Sequence, residues 1–152
     1  MICRAALPSD GAALASLHRN SFETAWREEE FQDFIKESIV LVAGQPVTGF
    51  IIARHILDEA EIISLAVSPS ARQTGVGHHL LTTACDKLSQ LGVQRIYLEV
   101  AQDNHSALAL YNKAGFSHVN LRKAYYRRSV GPAVDAVIMS RNLDITPIVT
   151  SN

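Results

Sequence analysis

The stretch from Leu65 to Phe116 restricts what this chain can fold into more than any other part of it. Leu65-Ala66-Val67-Ser68-Pro69 is an apolar strand end closed by a proline turn. Arg72-Gln73-Thr74-Gly75-Val76-Gly77-His78 follows, a glycine-bearing loop that opens a long amphipathic run. Leu80, Leu81, Ala84, Cys85, Leu88 and Leu91 recur at helical spacing and Gly92 supplies the stop, which predicts a helix over 75–91. Ile96-Tyr97-Leu98-Glu99-Val100 belongs to a predicted strand over 93–101. Asp103 or Asn104 caps a second helix over 106–114, closed by Gly115. Strand, helix and strand in that order make a right-handed crossover that lays the second strand parallel to the first.

The rest of the chain reads as strands and helices around that unit. A strand over 2–6 precedes a helix started by Pro8-Ser9-Asp10, with Ala13, Leu14, Leu17 and His18 on one stripe. A second helix over 26–37 turns Phe31, Phe34 and Ile35 inward. Its other face carries Glu28, Glu29, Glu30, Asp33 and Glu37, either a solvated face or a surface that selects a basic peptide. Ile39–Ala43 and 47–56 are apolar runs joined by the hairpin signal Gly44-Gln45-Pro46, and 60–67 continues the meander. The last strands, 116–121 and 134–140, flank a long polar and aromatic loop, and the tail from Asn142 is expected to fray. The expected architecture is α/β: one domain over 1–152, with a mixed sheet and helices on both faces.

Composition narrows the function. With 47% hydrophobic and 19% charged residues the chain is globular, and 152 residues suffice for one core. A net charge of −1 gives no general attraction to nucleic acid or to an anionic membrane. No apolar run approaches the roughly 20 residues of a membrane helix. The N-terminus has no signal-peptide pattern, and two distant cysteines, Cys3 and Cys85, require no disulfide, so a cytoplasmic location is expected. The six histidines form no metal-binding spacing, and no metal is expected.

The chemistry lies in three places. Glycines at a helix start let a ligand approach backbone N–H groups that have no helical partner, where the helix dipole favours an anion such as a pyrophosphate. No Walker loop is present, and Leu80 stands where a dinucleotide fingerprint needs its third glycine. Glu99 sits in a strand with helices on both sides. Burial there makes a carboxylate a better proton acceptor, suited to an amine that is mostly ammonium at neutral pH. The other reading is a structural carboxylate paired with Arg95 or Arg122. Tyr111 closes the next helix, placed either to protonate a leaving group or to pack its ring in the core.

The ordered series from Ala66-Val67-Ser68-Pro69 through Arg72-x-x-Gly75-x-Gly77, Leu98-Glu99-Val100, Asn104 and Leu110-Tyr111-Asn112-Lys113-Ala114-Gly115-Phe116 resembles the GCN5-related N-acetyltransferases, the GNAT superfamily. Within it the chain is most similar to the RimI-type ribosomal-protein alanine N-acetyltransferases. Trp26-Arg27-Glu28-Glu29-Glu30-Phe31, Leu57-Asp58-Glu59-Ala60, Arg122-Lys123-Ala124-Tyr125-Tyr126 and Asp135-Ala136-Val137-Ile138-Met139 carry that likeness. The resemblance implies that family's seven-stranded, mostly antiparallel mixed sheet. It implies acetyl-CoA as co-substrate, held by Leu65, Ala66, Val67, Arg72, Gln73, Thr74, Gly75, Val76, Gly77, His78 and Asn104. Glu99 becomes the proton acceptor and Tyr111 the proton donor, with Trp26, Tyr125 and Tyr126 on the peptide. The implied partner is a protein N-terminus, that of small-subunit ribosomal protein number eighteen, and the implied assembly a monomer or weak dimer. Two departures stand out: His78 follows Gly77 where the family commonly has Arg, and Arg127-Arg128 follow Tyr126 where Pro is common. The alternatives are a same-fold enzyme acting on a small amine or a lysine, and a non-catalytic acyl-CoA-binding regulator.

Overall fold

The structure is a computed structural model that describes residues 2–22 and 25–143. A sheet of seven strands runs through it: β1 (Cys3–Ala5), β2 (Ile39–Ala43), β3 (Gly49–Ile56), β4 (Glu59–Val67), β5 (Arg95–Ala101), β6 (Ser117–Tyr126) and β7 (Val134–Asn142). Their order across the sheet is β1-β2-β3-β4-β5-β7-β6. Only the central pair, β4 with β5, is parallel. The expected crossover joins these two through helix α3 (Val76–Gln90).

Helices α1 (Gly11–Ser21) and α2 (Glu28–Glu37) cover one face, and α3 with α4 (His105–Lys113) cover the other. Strand alternation divides the side chains between two cores. Leu41, Ile51, Ile96 and Leu98 pack with the α3 stripe of Leu80, Leu81, Ala84 and Leu88. Val42, Phe50 and Ile52 pack with Leu14 and Phe31 on the opposite side, where Phe31 meets Phe50 edge-on at 5.6 Å. Gly49 lets α3 sit close to the sheet, because a Cβ there would lie 3.0 Å from Val76 Cγ1 and 3.1 Å from Leu80 Cδ1. Cys85 is buried on the α3 stripe, as expected, and Cys3 and Cys85 are both free.

The structure moves several expected boundaries. Helix α2 begins at Glu28, so Trp26 and Arg27 precede it. Strand β7 runs on through Asn142, and buried Leu143 donates its N–H to the Gln94 carbonyl at 2.8 Å, so fraying does not begin at Asn142. The largest change is β6, which continues to Tyr126 where the sequence suggested a loop from 122 onward. It is an edge strand exposed along most of its length, so alternating burial left no signal in its residues. Its second half is bent. Ala124 has φ +54°, and its N–H is taken by Asp135 Oδ1 at 2.7 Å instead of by the strand ladder.

Between α1 and α2 lies a cluster of rings. His18 is 3% exposed and stacks on Trp26 at 4.3 Å and on Phe22 at 4.5 Å. Its Nδ1 accepts the Trp26 backbone N–H at 3.1 Å, which requires an unprotonated nitrogen. Burial pushes the His18 pKa below its usual 6.5, against the pull of the nearby Glu30 charge. An unfolded His18 therefore takes up a proton at a higher pH than the folded one, so stability falls as pH drops below about 6.5. Thermal melts between pH 7.5 and 5.5 should show a steeper loss of Tm in the wild type than in His18→Phe, which keeps a ring but cannot titrate. Parallel pH profiles for the two proteins would exclude this role.

Candidate active site

The site begins where β4 and β5 separate. Their parallel ladder has three residue pairs, Glu59 with Arg95, Ala60 with Ile96 and Glu61 with Tyr97. Beyond them β4 continues to Val67 and β5 to Ala101 without pairing to each other. The free edge of β4 can be read from its other side. The Ser68 N–H donates to the Thr48 carbonyl at 2.7 Å, so the alternation of an antiparallel pair turns Ala66 toward β3. The main-chain groups of Leu65 and Val67 then face the gap. Ala66 lies between them with its methyl in the α1/α2 core.

The glycine loop stands at the mouth of this gap. Gly75 has φ +88°, the left-handed region that glycine enters without strain, and it precedes the first turn of α3. Helical pairing begins with the His79 N–H bonding to the Gly75 carbonyl at 2.9 Å. The N–H groups of Val76, Gly77 and His78 come before that bond and have no partner within the helix. Arg72 Nε donates to the Val67 carbonyl at 3.2 Å, and the Thr74 hydroxyl donates to the Ala71 carbonyl. Both bonds fold the loop back onto the end of β4, while Gln73 and Thr74 remain exposed. A Cβ on Gly77 would meet Leu110 at 3.4 Å and Val67 at 3.6 Å, so the β4 end, the α3 start and α4 converge there.

Glu99 and its neighbours form a second group. Leu98 and Val100 enter the α3/α4 core, which turns Glu99 toward the α1/α2 side. Its Oε1 pairs with Arg122 Nη1 at 3.1 Å, and its side chain is 26% exposed. This carboxylate is half-buried and paired, not dry, so its fitness as a base rests on placement more than on desolvation. Arg122 reaches over β7, where its own partner is Ala136, and lies 4.9 Å above the Tyr125 ring. Tyr126 meets Tyr125 edge-on at 5.2 Å. Burial pushes the Tyr126 phenol up to about 12, helped by the charge of Glu99. Tyr111 is 8% exposed and edge-on to Phe116 at 5.9 Å. Its phenol is pushed far up by burial, with Tyr126 adding to the effect, so it holds its proton at any working pH.

Other expected residues sit where packing explains them. Asn104 caps α4, its Oδ1 accepting the Ala107 N–H at 3.2 Å. Trp26 has ring contacts with His18, Phe31 and Phe34. Glu30, Asp33 and Glu37 line an open cleft with Arg54 and His55. That cleft lies at the end of β3 that turns into the paired start of β4, away from the gap, so its position does not favour selection of a basic peptide. Sequence reasoning missed Arg128, which pairs with Asp103 at 2.8 Å and ties the end of β6 to the turn before α4. Arg127, which follows Tyr126 where proline is common, was the available signal, one position before it. Among the described residues no cluster of potential ligands could hold a metal, and no helix is long and apolar enough to cross a membrane.

The Acetyltransferase (GNAT) family profile matches residues 11–116. The chain belongs to the GNAT acetyltransferase family. It is 37% identical over 103 residues to the ribosomal protein bS18-alanine N-acetyltransferase of Haemophilus influenzae, covering 68% of this chain and 70% of that one. It is 32% identical over 135 residues to the enzyme of the same name from Salmonella typhimurium, covering 87% of this chain and 90% of that one. The crystal structure of the ribosomal-protein-S18-alanine N-acetyltransferase of Escherichia coli superposes with a TM-score of 0.87 at 26% identity, over 99% of both chains. Members of this GNAT family are acetyl-CoA-dependent acyltransferases. The gap with its free strand edge, and the unpaired N–H groups at the α3 start, fit that co-substrate.

The geometry separates the two uses of Gly77. Its Cβ space holds only ordinary contacts, so the fold tolerates a methyl group. Gly77→Ala should raise apo stability by about 0.5–1 kcal/mol, the usual difference within a helix. Gly77→Val should fold and lose acetyl-CoA affinity by an order of magnitude or more, because its branches crowd the backbone donors. Calorimetric titration beside thermal melts checks both, and full affinity in Gly77→Val would reduce the loop to a turn.

Proposed function

We propose that this GNAT acetyltransferase modifies the α-amine of a protein N-terminus, with the N-terminal alanine of ribosomal protein bS18 as its substrate. The observation that carries the reading is the placement of Glu99 on β5, Tyr126 at the end of β6 and buried Tyr111 in α4 around the gap that opens past Glu61 and Tyr97, where burial, helped by the Glu99 charge, raises the Tyr126 phenol. The names of the relatives and the agreement over nearly the full length of the Escherichia coli enzyme supply the substrate. Tyr125 and Tyr126, whose rings meet edge-on, would hold the first residues of a peptide, with the segment around Trp26 as its further contact.

Acetyl-CoA supplies the activated acetyl group. Val76, Gly77 and His78 would hold its pyrophosphate through backbone N–H groups, flanked by Arg72, Gln73, Thr74 and Gly75. The open edge of Leu65 and Val67, with Asn104 nearby, would hold the pantetheine arm. Main-chain N–H on that edge stabilises negative charge on the thioester oxygen. Glu99 accepts an N–H proton from the amine as the carbon–nitrogen bond forms. Tyr111 gives its phenolic proton to sulfur as the carbon–sulfur bond breaks. The proton on Glu99 returns to the phenolate through solvent, so both groups are reset and one amine hydrogen ends on the thiol.

Glu99 is also an ion-pair partner, so its test needs a control. Glu99→Gln should bind acetyl-CoA normally and lose about 100-fold or more in kcat at pH 7. The deficit should narrow as pH rises through about 8, where the α-amine is increasingly free. Arg122→Gln breaks the same ion pair and should keep most of the turnover. Equal losses in the two variants would make Glu99 structural. Tyr111→Phe should lower kcat by about tenfold or more with acetyl-CoA affinity unchanged. Steady-state assays with a peptide carrying the bS18 N-terminus, and mass spectrometry of the modified atom, check each outcome. Acetyl found only on lysine side chains would overturn the α-amine reading.

A further inference from the structure

Among the described residues two buried hydroxyl oxygens have no hydrogen-bond partner, Ser21 Oγ and Ser64 Oγ. Ser21 ends α1, with only Phe22 between it and the undescribed positions 23 and 24. Ser64 is different: it lies mid-strand in β4 and is 8% exposed. Leaving a buried hydroxyl unpaired is costly, and most such groups in folded proteins are satisfied. Its neighbours on that face, Ile52, Ile63 and Ala66, are apolar and would accept alanine at least as well.

The position of Ser64 gives the hydroxyl a use. Ala53 pairs with Ile62 while Ile52 pairs with Ser64, so β4 carries an extra residue, Ile63, in a bulge. The bulge places Ser64 on the α1/α2 face opposite Ile52 and takes up one residue of the count along β4. From the last β4–β5 pair, Glu61 with Tyr97, the count past the bulge brings Ser64 level with Glu99. Both side chains then lie on the same face, on the two strands that border the gap. Ser64 also directly precedes Leu65, the first residue of the free strand edge.

We propose that Ser64 is an anchor for the attacking amine: its Oγ accepts one N–H of the substrate nitrogen while Glu99, across the gap, takes the proton that leaves. The inference rests on the transfer chemistry proposed above. A hydroxyl supplies two acceptor sites, and an amine held on two sides has its lone pair directed at the remaining one, the thioester carbon. The Ser64 hydroxyl has no protein partner to give up when the amine arrives.

The test compares Ser64→Ala and Ser64→Cys with the wild type, using acetyl-CoA, the alanine-initiated peptide and a panel of small amines. Both variants should melt at or above the wild-type temperature, because an unsatisfied polar atom is removed, and should bind acetyl-CoA unchanged. Both should lose about tenfold in kcat/KM for the acceptor, since the thiol fills the space but accepts hydrogen bonds poorly. A lower Tm with acetyl-CoA affinity falling in parallel would make Ser64 structural and overturn the proposal, as would kcat/KM within twofold of wild type. Wild-type enzyme that acetylates only small amines would defeat the peptide reading instead. The Ser64 comparison would then be made on those amines, since the anchor holds nitrogen and not peptide.

Discussion

Two neighbouring parallel strands that separate after three residue pairs leave main-chain donors and acceptors without partners. Backbone groups are obligatory hydrogen-bonding groups, so an open edge in the middle of a sheet is tolerated only where water or a ligand reaches it. The bulge at Ile63 strengthens the local twist of β4 and so helps it turn away from β5. Everything else in the site is arranged around that separation. Helix α3 begins at its mouth, α4 closes beside it, and β6 with β7 carries Arg122, Tyr125 and Tyr126 to its other border.

The parts of this arrangement that the sequence showed are those written in local patterns. The α3 stripe, the caps of α3 and α4 and the hairpin at Gly44 follow from spacing and residue type, and so does the parallel crossover. The placement of β7 between β5 and β6 could not be read, because it depends on which edge stays free after five strands have paired. The second half of β6 was also hidden. Its exposed residues carry no alternation, and its bend at Ala124 is held by Asp135, a side chain eleven positions away. Ser64 was silent for a third reason: nothing in Ile63-Ser64-Leu65 shows that the hydroxyl lacks a partner until the bulge sets its direction.

Several of these features work against stability. The open edge, a glycine within the first turn of α3, the unpaired Ser64 and the buried Tyr111 phenol each leave the folded state less stable than a simple alternative would. The two cores on either face of the sheet offset them, with side chains such as Leu14, Phe31, Phe50, Leu80, Leu81 and Leu88 fully buried. A trade between stability and activity of this kind is expected where a site must bind a group absent from the free protein. It also sorts the residues of the site. Where a substitution should stabilise the chain and slow it, as at Ser64, the residue is held for chemistry and not for folding.

The ion pair between Glu99 and Arg122 fits the same logic. At 3.1 Å it sets the direction of the carboxylate, yet the side chains are 26% and 51% exposed. A pair so open to solvent contributes little net free energy, because water screens it and two long side chains must be held still. A strongly bound partner would compete with the incoming ammonium, whereas a weak one can give way to it. The Arg122 guanidinium keeps a second contact over the Tyr125 ring when the carboxylate turns to the substrate. In the proposed mechanism the arginine would orient the base before the amine arrives and keep its contact with the Tyr125 ring afterwards, so the exchange would leave no buried charge without a partner.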